Sequence, residues 1–311
     1  MNQRILVSVV TPSYNQGEFL GDTIDSVLRQ DYENIEYLVI DGSSTDGSVD
    51  IIEKYAERLA YWESQPDRGQ AHAVNKGLAR ASGEILGWLN SDDILLVDTI
   101  SRVVKTFEAH PEIDVVYGRL ERINSKGDVI PTPELPKDRE TFNKSLVVGE
   151  CIVNQPGCYW RRSIMDEVGL LREDLQYSLD YEYWIRMALA GAVFYRLTAP
   201  VARFRLSSGS KTVGQTEKMA EEQLSVLDEI LATPNLPGLV GLHPDKVAQQ
   251  AKRARADIQL HAFYGAIKMR QWRAAFEWLR RSLKKDPSAI FQRRWLDLAI
   301  ASVTRRFSTR H

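Results

Sequence analysis

Two adjacent carboxylates, Asp92 and Asp93, close the stretch GEILGWLNSDD (83–93). The apolar run before them (84–89) has the length and composition of a buried strand. It breaks off into Asn90-Ser91-Asp92-Asp93, and the helix-like ILLVDTISRVVKTF (94–107) follows. Neighbouring carboxylates at the end of a buried strand are costly unless a cation or hydrogen-bond donors meet them. Hard oxygen donors suit Mg2+ or Mn2+, which keep several waters and bridge to a substrate's phosphates. Asp is also favoured at a helix N-terminus, so capping of the next helix explains the pair equally well. The surrounding elements have to decide.

Those elements alternate. ILVSVV (5–10) is a β-rich run followed by the turn chemistry of TPSYNQGE, and then Leu20, Ile24, Val27 and Leu28 recur at helical spacing. EYLVI (36–40) is a second strand ending in Asp41 and DGSSTDGS; Val49, Ile52, Ala56 and Leu59 mark the helix after it. Tyr61-Trp62 is a third, short strand, PDRG (66–69) a loop, AHAVNKGLARA a helix, and 84–89 the fourth strand. Such alternation predicts a parallel sheet with helices on both faces. Ligands of such sheets bind at the carboxyl ends of the strands. TPSYN, DGSSTDG, PDRG and NSDD all fall at that edge, which moves the reading of Asp92 and Asp93 away from capping alone.

Farther on, Val115-Val116-Tyr117 and RLERINSKGDVI read as strands with a turn at Asn-Ser-Lys-Gly, and PTPELPKDRE as a loop. LDYEYWIRMALAG reads as a helix opening with Asp180, followed by two strands, AVFYRL and PVARFRL. Beyond Ser210 the pattern is helical: EKMAEEQLSVLDEILA, KVAQQAKRARADIQLHAFYGAIKM, WRAAFEWLRRSLKKD and, after Asp286-Pro287, a last helix near 289–307. This divides the 311 residues at 210 into an α/β domain (1–210) and a helical region (211–311).

With 43% hydrophobic and 26% charged residues the chain reads as soluble and globular. Its two cysteines, Cys151 and Cys158, exclude a disulfide scaffold and are read as reduced thiols. The apolar start is too short for a signal peptide, and no stretch resembles a membrane span. The expected location is the cytoplasm. Charge is uneven: residues 251–311 carry 15 Lys+Arg against 4 Asp+Glu, within a chain of net charge −2. On the last helix Phe291, Trp295, Leu298 and Ser302 share a face that Arg293, Arg294, Arg305 and Arg306 largely avoid. A basic amphipathic helix suits peripheral contact with the inner face of a membrane, whereas the same aromatic face would also serve helix packing or a homo-oligomer. Nucleic acid is not expected.

VSVVTPSYNQ, VIDGSSTDGS, PDRGQAHAVNKGL, ASGEILGWLNSDD and LDYEYWIRMALAG resemble, in order across residues 5–206, the motifs of family-2 glycosyltransferases with the GT-A fold. The resemblance implies an α/β fold, a GT-A nucleotide-binding sheet sandwiched by helices, here with a C-terminal α-helical region. It also implies inverting transfer of a sugar from a nucleotide diphosphate donor, with Mg2+ or Mn2+. The acceptor would be a hydroxyl of a glycan or lipid-linked molecule, in cell-surface polysaccharide synthesis. Carried over by motif, Pro12 and Tyr14 would lie against the base, Asp41 would accept hydrogen bonds from base or ribose, and Arg68 would sit in the loop near the nucleotide. Asp92 and Asp93 would be the acidic metal motif, Asp93 most directly on the metal; Asn90 stands where relatives often carry Asp. Asp180 would be the catalytic base, although Leu179 replaces the preceding Glu, and Glu182 is the alternative.

The chemistry is consistent without the resemblance. A departing nucleoside diphosphate needs a metal at its phosphates, the attacking hydroxyl needs a carboxylate to take its proton, and an inverting displacement needs no enzyme nucleophile. His72 reads as structural; Arg203 and Arg205 could reach a phosphate, but alternating charge on the exposed face of a strand is the commoner explanation. Two alternatives remain. A sugar nucleotidyltransferase would need a basic, Gly-rich loop after the first strand, and TPSYNQGE has no Lys or Arg. A non-catalytic helical scaffold with a degenerate transferase domain is suggested by the tetratricopeptide-like hairpin HAFYGAIKMRQWRAAFEWLRRSLKKDP, but one such unit cannot form a solenoid.

Overall fold

The computed structural model describes residues 4–132, 153–206 and 215–285. The chain divides into two compact units, Met1–Ser207 and Ser208–His311. Cys151, most of the proline-rich loop from 133 onward, and the final helix at 289–307 with its arginines lie outside the described residues.

In the first unit Val7–Ser13 (β1), Ile35–Asp41 (β2), Tyr61–Ser64 (β3) and Ile85–Trp88 (β4) pair in parallel, in the order β3-β2-β1-β4. All seven residues of β1 are buried, as expected of a strand covered on both faces. Pro12, which has no N–H for a ladder, sits beyond the last β1–β4 pair, Val10 with Trp88. Helices Leu20–Leu28 (α1), Ser48–Tyr55 (α2) and Gln70–Arg80 (α3) return the chain between these strands. α1 buries Leu20, Ile24 and Val27 at the expected spacing. α3 lies close over β1: a Cβ at Gly77 would stand 2.4 Å from Val10 Cγ1.

The second half of the sheet is mixed. After Ile94–Leu95 (β5) and Thr99–Ala109 (α4) come Val115–Ile123 (β6), Val129–Ile130 (β7) and Cys158–Arg161 (β8). β8 runs antiparallel to both β4 and β6. Arg162–Val168 (α5) and Leu179–Ala190 (α6) then lead to Phe194–Arg205 (β9), parallel to β6 and antiparallel to β5. The sheet order is β3-β2-β1-β4-β8-β6-β9-β5, with β7 on β6. The stretches AVFYRL and PVARFRL form one strand, because the pairing absorbs Pro200 at a register shift opposite Arg119. Val201 then packs where two glycines leave room; a Cβ at Gly118 or Gly157 would come within 2.4 or 2.1 Å of its Cγ2.

Among the described residues the second unit contains Thr216–Leu231 (α7), Leu236–Val240 (α8), Pro244–Lys268 (α9) and Trp272–Lys285 (α10). Ala220, Ala262 and Trp278 form its small core, with Leu224, Ile258 and Phe263 against it. Gly265 lets α9 approach α7, since a Cβ there would meet Thr216 Oγ1 at 2.2 Å. Arg255 pairs with Asp228, and Arg281 with Glu221 at 3.4 Å.

The contact between Gly157 and Val201 generates a stability prediction. Gly157→Ala overfills the site and should destabilise the protein by about 1–3 kcal/mol. Adding Val201→Ala should recover part of that loss, because it vacates the space the new methyl needs. Urea titration of the two single variants and the double variant checks this, and strictly additive losses would count against it.

Candidate active site

The loops leaving β1, β2, β3 and β4 meet at the carboxyl edge of the sheet, and short polar side chains stitch them together. Asn15, at positive φ (51°), donates its N–H to Ser44 Oγ (2.8 Å) and accepts the Thr45 N–H on Oδ1 (2.9 Å). Asp46 accepts the Gly17 N–H (2.8 Å) and the Ser48 hydroxyl (2.6 Å). Asp41 is fully buried. Its carboxylate accepts from the Ser44 N–H (2.9 Å) and the hydroxyls of Ser44 (2.5 Å) and Ser64 (2.7 Å), so it organises the loop in which it sits. Pro12 is buried within the sheet, whereas Tyr14 beside it is 62% exposed and offers its ring to solvent. Gly42 forms the floor between Tyr14 and Asp67: a Cβ there would stand 3.3 Å from Tyr14 Cδ2 and 2.6 Å from Asp67 Oδ2.

The Asn90–Asp93 turn is held from several sides. Asp93 is fully enclosed. Its Oδ1 accepts the Arg205 N–H (3.1 Å), Asn90 Nδ2 lies 3.5 Å from its Oδ2, and its carbonyl accepts the Thr23 hydroxyl (2.8 Å). Asp92 is only partly buried and is the more accessible of the pair. Burial, and then the charge of Asp92, push the Asp93 carboxyl well above the usual carboxylate range; burial also raises Asp92, against the pull of the Arg205 guanidinium. Asn90 accepts from Gln70 Nε2 (2.8 Å) and donates to Gln155 Oε1 (2.9 Å). Gln155 in turn donates to the Trp88 carbonyl (2.7 Å). Asn90 is thus the hub of an amide network. Among the described residues no cluster of three His, Cys, Asp or Glu side chains could hold a metal by itself.

Arg68 is largely exposed and reaches Glu173 through Nε (3.0 Å) and Nη2. Asn75 joins the same segment, donating to the Leu171 carbonyl (2.9 Å) and to Glu173 Oε1 (3.2 Å). His72 accepts the Arg68 N–H (3.2 Å). Asp180 lies in the first turn of α6, where its Oδ1 accepts the Tyr181 N–H (2.7 Å). Four residues on, and so on the same helix face, Trp184 stacks on Trp88 with centroids 5.4 Å apart. That stacking ties the helix carrying Asp180 to the strand carrying the Asn90–Asp93 turn. Glu182 is committed elsewhere: both its oxygens take the Arg186 guanidinium (3.0 and 2.9 Å), which also holds the carbonyls of Val168 and Leu170.

Arg205 corrects the reading of β9 as a strand with an exposed charged face. The residue is 2% exposed, and its Nε donates to the Asp92 carbonyl (2.9 Å). Sequence reasoning also missed Gln70, Gln155 and Glu173. Only the Glu182–Arg186 pair carried a readable signal, a spacing of four on one helix.

Residues 8–169 match the family model described as glycosyl transferase family 2. An uncharacterized glycosyltransferase of Mycobacterium tuberculosis H37Rv is 30% identical over 190 residues, covering 59% of this chain and 69% of that protein. One from Rickettsia felis is 28% identical over 221 residues, 67% of this chain; the chain spans only 36% of that relative's length. Among solved structures, residues 1–349 of S. aureus TarS, in complex with UDP-GlcNAc, align with a TM-score of 0.67 at 17% identity, covering 92% of this chain and 82% of that one. The mannosyltransferase PcManGT from Pyrobaculum calidifontis, in complex with GDP-Man and Mn2+, aligns with a TM-score of 0.65 at 18% identity, covering 100% and 89%. At these identities the two structures speak to the fold alone, and that fold is GT-A. With more than half of its length matched by the family model, the chain belongs to glycosyl transferase family 2.

Proposed function

We propose that this chain transfers a sugar, with inversion, from a nucleoside diphosphate donor to a hydroxyl of a glycan or lipid-linked acceptor, in cell-surface polysaccharide synthesis. The observation that carries the reading is the Asp92–Asp93 pair at the carboxyl end of β4, with the Asp180 helix packed against the same strand through Trp184 and Trp88. The nucleotide-sugar complexes of the two structural neighbours, one of them with Mn2+, support it.

In this reading the exposed Tyr14 ring stacks on the base above Gly42, with Pro12 and Asp41 shaping the loops beneath. Arg68 exchanges Glu173 for the donor's phosphates. The donor set fits Mg2+ or Mn2+: two carboxylates, one enclosed and both raised by burial, need a cation, and such ions take one or two carboxylates and fill their remaining positions with water and phosphate. When bound, the cation offsets charge on the departing diphosphate. Asp180 takes the proton of the acceptor hydroxyl as that oxygen attacks the anomeric carbon from the face opposite the leaving group.

Two experiments test the core of this. The raised carboxyls favour the protonated metal-free protein, so their contribution to stability is present at low pH and is lost as pH rises through the raised values. Cation binding requires them ionised. The gain in thermal stability on adding Mn2+ should therefore grow as pH rises through the range, above that of ordinary carboxylates, in which these two carboxyls ionise. A gain that is flat with pH, or none at all, argues against a cation at this pair.

For the base, Asp180→Asn should abolish transfer with donor affinity nearly unchanged, since proton removal belongs to the transition state. Glu182→Gln should keep most activity, because Glu182 serves Arg186. Steady-state kinetics of both variants decide, and an active Asp180→Asn beside a dead Glu182→Gln would reverse the assignment.

The reading extends to peripheral membrane contact through the second unit. Among the described residues no helix is long and apolar enough to cross a membrane. α10, however, exposes Trp272 (56%) and Phe276 (67%) near Arg270 and Arg273, a mixture suited to an anionic interface. The full chain should float with anionic vesicles at low salt, less so at high salt, and Trp272→Ala with Phe276→Ala should weaken it. Failure of the full chain to bind anionic vesicles at low salt would remove this extension.

A further inference from the structure

The carboxyl end of β9 brings a cation beneath the Asn90–Asp93 turn. A buried arginine is costly unless each of its N–H groups finds an acceptor, and Arg205, at 2% exposure, is surrounded by acceptors. Nε donates to the Asp92 carbonyl (2.9 Å). Nη1 donates to the carbonyls of Asn124 (3.4 Å) and Ser125 (3.2 Å), in the turn between β6 and β7. Nη2 meets Asp22 Oδ2 of α1 at 3.4 Å, and the guanidinium lies 4.6 Å over the Phe19 ring. The main chain of the same residue donates to Asp93 Oδ1 (3.1 Å). One residue therefore fixes the peptide carbonyl of Asp92 and the carboxylate rotation of Asp93. Thr23 fixes the other carbonyl of the pair, at Asp93.

An arginine confined to holding β9 against α1 would not need to reach into this turn. Its planar fork spans three segments at once, the 92–93 turn, the 124–125 turn and α1, a geometry that the compact ammonium of a lysine cannot reproduce. We propose that Arg205 is a positioning residue for the cation: it holds the Asp92–Asp93 turn so that the two carboxylates stay in register to share one ion. It lies beneath the turn and binds no substrate itself. This inference rests on the proposed cation site at Asp92 and Asp93.

The test reads cation affinity in the folded protein, apart from activity. Mn2+ is titrated into wild type, Arg205→Met and Arg205→Lys, alone and with UDP or GDP, by calorimetry or by the electron paramagnetic resonance of free Mn2+. Circular dichroism confirms that each variant is folded at the temperature used. Residues that orient metal ligands typically alter affinity by about 10–100-fold when replaced. Arg205→Met should weaken Mn2+ binding by that order, with Arg205→Lys in between. A purely structural arginine would lower the melting temperature and leave the Mn2+ affinity of the folded variant at the wild-type value, which overturns the proposal. Should Arg205→Met not fold, Arg205→Lys decides: affinity equal to wild type overturns the inference, and weaker affinity with an intact fold supports it. Wild type that binds no Mn2+ under any of these conditions overturns the cation site itself and this inference with it.

Discussion

The fully buried carboxylate of Asp93 is the constraint around which the first unit is arranged. A carboxylate enclosed in protein must be neutralised or surrounded by donors. Here Asn90 comes from the end of β4 and the amide of Arg205 from the end of β9, while the Thr23 hydroxyl of α1 holds the main-chain carbonyl of the same residue. These elements are far apart in sequence, and the carboxylate draws them to one point. The Arg205 side chain is supported separately, by the carbonyls of Asp92, Asn124 and Ser125 and by the carboxylate of Asp22.

Around that point rigidity comes from two different sources. On the side of the first two loops it is polar: Asn15, Asp41, Asp46 and the serines beside them accept and donate among backbone groups, which holds Asn15 and Ser43 at positive φ. Asn tolerates that region because its short polar side chain bonds locally. On the side of α6 rigidity is aromatic. Trp88, Trp160, Tyr183 and Trp184 lie within 5.4–6.4 Å of one another, from the Trp88–Trp184 stack to the Trp88–Tyr183 tilt. Each such pair contributes about 0.5–1.5 kcal/mol beyond its buried area. Their indole N–H groups and the Tyr183 hydroxyl have no hydrogen-bond partner among the described residues, so ring packing must outweigh that loss. The outcome is that Asp180 stands on a helix clamped to the strand bearing Asp92 and Asp93.

The two halves of the sheet reflect a division of labour. The parallel half, β3-β2-β1-β4, sets four polar loops along one edge. The mixed half inserts β8 antiparallel between β4 and β6 and lets β9 run long enough to bring Arg205 back to that edge. Gly118 and Gly157 serve the same end, because the closeness of Val201 to β6 and β8 sets where the last residues of β9 arrive.

Much of the first half was legible in the amino-acid sequence. Parallel strands covered on both faces must be continuous apolar runs, and the loops beyond them must be polar, so the alternation from Val7 to Trp88 could be read without knowing any contact. The Asn-Ser-Asp-Asp break and the Asp that opens the α6 helix were visible for the same local reason. What only the tertiary structure decided are matters of long-range pairing. The direction of β8, the fusion of two runs across Pro200 into β9, and the enclosure of Asp93 beside the more open Asp92 depend on which segments become neighbours. So does the fate of Arg205. In β9 its alternation with Arg203 has the form of an exposed charged face, since spacing reports which side of a strand a residue occupies but not what covers that side. Here Phe19, Asp22 and the 92–93 turn cover it, and a charge that sequence places at the surface lies buried against that turn.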